Sequence, residues 1–185
     1  MISRPAWYPR VARHPDYNDE KIILVDANAF SDMAIREHWD DELSFVVNSP
    51  ASELRIKLNG QVFHETMGAG AMAGMSVDGL RRQRQFVDVY RANGKTLIDD
   101  GLVPFFAVGR LTTYHAILKA ILATGNIGRG DALIVIDAIV NRIPLFTREQ
   151  RLPRGIAIAL TNKLVKADIK AHLLWERPEQ ILLRS

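Results

Sequence analysis

The chain has 185 residues, 48% of them hydrophobic, enough to bury a full core in a single domain. It contains no cysteine, which excludes disulfides, thiolate metal sites and cysteine nucleophiles and fits a reducing compartment. Net charge is +3 and the sequence pI is near 9.3, a balance that permits an anionic partner such as nucleic acid without requiring one.

No apolar run approaches the roughly 18 residues of a membrane span, and the first twenty residues lack the apolar centre of a signal peptide. A cytoplasmic protein with no membrane partner is therefore expected. Residues 1–20 carry three prolines among basic and aromatic side chains and read as an extended N-terminal arm, with residues 21–185 as one domain. The arm suits either a partly ordered terminus or a basic contact for RNA or a second copy.

Ile22–Val25 is a short, continuous apolar run, the pattern of a strand buried on both faces of a parallel sheet. It ends on Asp26, which fits either an N-cap for a helix through Phe30–Trp39 or a site carboxylate at a strand end. Ser44–Val47 reads as a second strand. Ser49–Pro50 is a helix-start signal, so a helix is expected over Ala51–Leu58 with Glu53 in its first turn. Glu53 alone is explained as a dipole-favourable or capping residue.

Gly60–Ser76 holds four glycines and three methionines among small residues and reads as a loop. It lacks the spacing of a phosphate-cradling loop, and its His64–Glu65 pair reads as solvated. Val77–Asn93 is an amphipathic helix ending at Gly94. Its Arg81, Arg82 and Arg84 suit equally a solvated face and a phosphate-binding one. Leu102–Thr124 is apolar almost all round and predicts one long buried helix, or two joined near Gly109, with His115 a core or interface histidine.

In Gly130–Glu149, Asp131 falls in the first turn of a helix, where unsatisfied N–H groups favour an acid. Asp137, six residues on, points elsewhere around that helix. Leu145–Phe146 is a strand, followed by Thr147, Arg148 and Glu149. Gly155–Ala167 has helical spacing, Ala171–Trp175 reads as a last strand, and Pro178 opens a short helix.

Four acids thus stand at strand ends and helix starts: Asp26, Glu53, Asp131 and Glu149. Here the sequence resembles the PIN-domain nuclease family, which includes the VapC-like toxin ribonucleases. VDANAF resembles the family's first motif, a strand-ending Asp followed by Asn or Ser. GDALIVIDAIVNRIPLFTRE resembles its later motif, in which an Asp, a helix, a turn and a strand lead to Thr-x-Asp. In this chain Thr147 stands sixteen residues after Asp131, and Glu149 eighteen. SFVVNSPASELRIKL is similar to the family's strand-to-helix element with its Glu, and LLWERPEQIL to its closing strand-Pro-helix.

The resemblance implies an α/β fold, a three-layer α/β/α sandwich with a mainly parallel central sheet, and metal-dependent endoribonuclease activity. It implies catalytic Asp26, Glu53, Asp131 and Glu149, with Asp26, Asp131 and Glu149 binding Mg²⁺ or Mn²⁺ through hard carboxylate oxygens. Asn28 and Thr147 would support the carboxylates, and Arg81, Arg82 and Arg84 would bind RNA. The implied partners are an RNA substrate and the antitoxin of a toxin–antitoxin pair. A homodimer is expected from the apolar surplus of residues 77–124. One position departs from the pattern: Glu149 replaces the usual Asp, moving the carboxylate by about 1.5 Å. A catalytically weak PIN-like scaffold that binds RNA or protein is the alternative.

Overall fold

A computed structural model describes residues 3–68, 74–92, 96–98, 118–119, 121–123, 127–141, 143–149, 152 and 182–183. The strands are β1 (Arg13–His14), β2 (Glu20–Val25), β3 (Arg55–Leu58), β4 (Thr96–Ile98), β5 (Leu145–Phe146) and β6 (Leu182–Leu183). The α-helices are α1 (Ala27–Ile35), α2 (Asp41–Asn48), α3 (Gly60–Met67), α4 (Val77–Ala92) and α5 (Arg129–Asn141).

The fold is mixed α/β. Five strands run parallel in the order β4-β3-β2-β5-β6, and β1 adds antiparallel to β2. β2 is central because its apolar run suits burial on both faces: Ile22, Ile23, Leu24 and Val25 are all buried. From β2 the chain steps outward through β3 to β4, then returns to the other flank as β5 and β6. The order therefore reverses between β2 and β5, where Leu24 pairs with Leu145 and Val25 with Phe146. Ligand sites in open α/β sheets lie outside the carboxyl ends of strands at such a reversal.

The expected strand at Ile22–Val25, the helix at Val77–Asn93 and the Asp131-helix-strand unit agree with β2, α4, α5 and β5. The segment between β2 and β3 corrects the reading. Ser44–Val47 lies inside α2, because Asp40 caps that helix (Oδ1 accepts from Leu43 N–H at 2.9 Å) and Asp41 and Glu42 occupy its first turn. The helix expected over Ala51–Leu58 is instead a turn followed by β3, which pairs with both β2 and β4. By its length Ser44–Val47 suits either state, whereas Leu54–Leu58 alternates apolar and charged residues at the period of a strand.

Gly60–Met67, expected as loop, is a helix capped by Asn59, whose Oδ1 accepts from Val62 N–H at 2.9 Å. Leu182–Leu183, expected in a closing helix, is instead a strand that pairs parallel with β5. Residues 3–19 are built into the domain: Trp7 is 1% exposed and packs edge-on to Phe45, with ring centroids 5.9 Å apart. Of the expected helix at 102–124, residues 118–119 and 121–123 are described and are helical. His115, the helix at 155–167 and the strand at 171–175 lie outside the described residues. Among the described residues no helix is long and apolar enough to cross a membrane.

Candidate active site

Asp26 follows β2 directly at the sheet reversal and is 2% exposed. Its two roles are compatible. Oδ1 accepts from Ala27 N–H at 2.7 Å and caps α1, while Oδ2 accepts from the Thr147 hydroxyl at 2.5 Å. Thr147 is itself buried and receives the Glu149 N–H on Oγ1 at 3.0 Å, which orients its own proton toward Asp26. The Asp26 N–H donates to the Phe146 carbonyl at 3.0 Å, and Asn28 Oδ1 accepts from Arg148 N–H at 3.1 Å. The ends of β2 and β5 are thus laced together through Asp26, Asn28, Thr147 and Glu149, residues 121 positions apart at the central bond. Arg148 points outward from this turn to Asp40, with Nη1 2.6 Å from Oδ2.

Burial pushes the Asp26 carboxyl from 3.8 up to about 6. Hydrogen bonds from Thr147 and Ala27 pull it down, and the charges of Asp131 and Glu65 push it up. Burial also raises Glu65, opposed by a hydrogen bond from Gln61 and reinforced by the charge of Asp131. Three carboxylates therefore feel one another: Asp26 after β2, Asp131 in the first turn of α5, and Glu65 in α3.

Glycine makes the Glu65 approach possible. A Cβ on Gly130 would collide with Glu65 Oε1 and lie 2.9 Å from Gln61 Nε2, and Gln61 donates to Glu65 at 2.7 Å. Gly130 is in the first turn of α5, so the side chain rests against the positive end of that helix, beside Asp131.

Glu53 is not brought to this place. It precedes β3, and because β3 runs parallel to β2 it stands at the opposite end of the sheet from Asp26. Its carboxylate pairs with Arg4 at 2.6 Å and its carbonyl accepts from the Tyr8 hydroxyl at 3.3 Å. The acid in its stead is Glu65, in the segment expected to be loop. A signal for it was present: Asn59 before Gly60–Met67 is an N-cap, and a helix there carries Glu65 on its second turn. Arg81, Arg82 and Arg84 are exposed on α4, with Arg81 paired to Asp78 at 3.0 Å. Asp137 faces inward and is paired with Lys57.

No family model, curated protein or solved structure matches the chain. The chemistry is therefore read from the site.

All three interacting acids offer hard oxygen donors, and their mutual repulsion is what a divalent cation would relieve. Among the described residues, no three His, Cys, Asp or Glu side chains converge into a ready-made cage for a metal ion. Carboxylate oxygens are the donors that an ion of the Mg²⁺ kind takes, and such an ion keeps several waters and needs only one or two carboxylates beside a substrate phosphate. It does not fit a closed structural site.

Proposed function

We propose that this protein is a metal-dependent endoribonuclease built on a PIN-like, three-layer α/β/α sandwich. Mg²⁺ or Mn²⁺ would be held by Asp26 and Asp131, with Glu65 and Glu149 completing the acidic pocket directly or through water. The observation that carries this reading is the buried Asp26 carboxylate at the sheet reversal, raised to about 6 by burial and by the charges of Asp131 and Glu65. A strongly perturbed carboxylate at a strand end, with other acids acting on it, is a candidate for a working site.

The chemistry supplied by such a cation is activation of water and neutralisation of phosphate charge. The chain's own residues do the rest. Asp26 and Asp131 present oxygen ligands. Thr147 holds Oδ2 of Asp26 in one orientation, and Asn28 fixes the backbone at Arg148, next to Glu149. Arg81, Arg82 and Arg84 meet the RNA backbone from the exposed side of α4. The same reading carries with it a cytoplasmic protein, the toxin of a toxin–antitoxin pair, with an antitoxin protein and a second copy of itself as partners.

The test is cleavage of mixed structured RNAs with Mg²⁺ or Mn²⁺. Asp26→Asn, Asp131→Asn and Glu65→Gln are each expected to lower the rate by on the order of 100-fold, while Glu53→Gln leaves it near wild type. Metal-dependent cleavage that survives both Asp26→Asn and Asp131→Asn overturns the assignment. A second reading, a scaffold that binds RNA or protein with weak catalysis, is favoured by the longer Glu149 and by the lack of three converging ligands among the described residues. RNA binding without cleavage by the wild type would establish it.

A further inference from the structure

Lys57 and Asp137 form an ion pair in the protein interior, with Nζ 3.3 Å from Oδ1 and the two residues 3% and 1% exposed. Asn141 donates to the same Oδ1 and to the Asp137 carbonyl. Burial raises the Asp137 carboxyl, and Lys57, Asn59 and Asn141 oppose that rise, although Oδ2 closes no hydrogen bond of good geometry. A buried ion pair adds little net stability, and apolar side chains of similar volume often serve a fold as well. Such a pair can instead restrict how the elements it joins align.

The joined elements are those that carry the acids. Lys57 belongs to β3 and Asp137 to α5, while Asn59, beside Asp137, caps α3 through Val62 N–H. Glu65 lies six residues after Asn59 on α3, and Asp131 six residues before Asp137 on α5. Each separation spans about 9 Å of helix. Asn59 meets α5 at Asp137 and Glu65 meets it at Gly130, so α3 and α5 pack antiparallel, fastened at two points. One point is the buried polar cluster, and the other is the acidic pocket. A slip of one turn would carry Glu65 about 5.4 Å along α5 and away from the one first-turn residue without a Cβ.

We propose that the Lys57–Asp137–Asn59 cluster is a positioning device that sets the alignment of α3 against α5 and so brings Glu65 to Asp131 and Asp26. Its consequence for catalysis rests on the nuclease reading, but its structural effect does not.

The test is the double variant Lys57→Met/Asp137→Leu, which removes both charges together and leaves neither buried without its partner. It is expected to melt within about 5 °C of wild type. Its Mn²⁺ affinity should fall at least on the order of tenfold, in the range seen when a group orienting a ligand is lost. Its kcat should fall with KM for RNA little changed. In the metal-free protein at fixed pH, the carboxyl-carbon NMR resonance of Glu65 should move to that of a solvated glutamate. A folded double variant with wild-type Mn²⁺ affinity and an unmoved Glu65 resonance overturns the proposal. Should it not fold, Lys57→Met/Asp137→Asn, which conserves volume at Asp137, is measured in the same two ways, and the same results support or overturn the proposal. A wild type that neither binds Mn²⁺ nor cleaves RNA would end the nuclease reading, and the Glu65 resonance would still decide the positioning role.

Discussion

Asp26 costs the metal-free fold stability at neutral pH. Its carboxyl is raised from 3.8 to about 6, so the folded state prefers it protonated, and stability is lost as pH rises between those values. Above pH 6 the loss is about 3 kcal/mol. In chelator, Asp26→Asn should therefore be as stable as wild type near pH 4 and more stable by up to about 3 kcal/mol near pH 7.5. Urea denaturation of both proteins at the two pH values checks this, and equal stability at pH 7.5 would refute it. Thr147→Val acts in the opposite direction. It keeps the shape but deletes the donor to Asp26 and the acceptor of Glu149 N–H, so stability should fall by about 1–3 kcal/mol. The Asp26 carboxyl should rise further, as an NMR titration would record.

At the scale of elements, α3 and α5 meet where glycine replaces any larger residue. In an ordinary helix Gly→Ala stabilises by about 1 kcal/mol. Gly130→Ala should gain less than that, because its Cβ would push the flexible end of Glu65 aside. In a Glu65→Ala background the ordinary gain should return, so the double-mutant cycle isolates the contact. Additive effects in that cycle would show that Glu65 does not press on Gly130. The same elements explain what local pattern could not reveal. The apolar run at 43–47 fits either a helix or a strand, although 54–58, with Arg55 and Lys57 alternating among apolar residues, carries the strand period. Pairing of β3 between β2 and β4 settled which was which, and with it the choice of Glu65 over Glu53.

For the whole molecule, the basic side chains of α4 are the measurable expectation. Arg81, Arg82 and Arg84 are exposed, and α4 packs against α1 and α3, the helices that follow Asp26 and carry Glu65. If they meet RNA phosphates, changing all three to Gln should reduce the slope of log affinity against log salt by about 0.7 for each single-strand phosphate that is no longer neutralised. An unchanged slope removes them from the interface. Val77 and Val89 on the same helix are 82% and 58% exposed, apolar surface that the proposed homodimer would cover. A dimeric mass by light scattering at micromolar concentration is expected, and a monomeric one would count against it.

Much of the candidate site was legible in the residues alone. A β-branched apolar run ending on Asp26, and an acid, helix, turn and strand ending in Thr147 and Glu149, are local patterns whose periodicity and caps are read within twenty residues. They suffice to determine two strands and the acids at their ends, while the pairing of those strands came from the structure. Glu65, the antiparallel fastening of α3 on α5, and the exclusion of Glu53 were decided only by tertiary structure. The reason is physical: burial and Coulomb repulsion act through space, between residues 39 and 66 positions apart along the chain for Asp26, Glu65 and Asp131. No local pattern records which charges will share a pocket once parallel strands have set the direction of every helix.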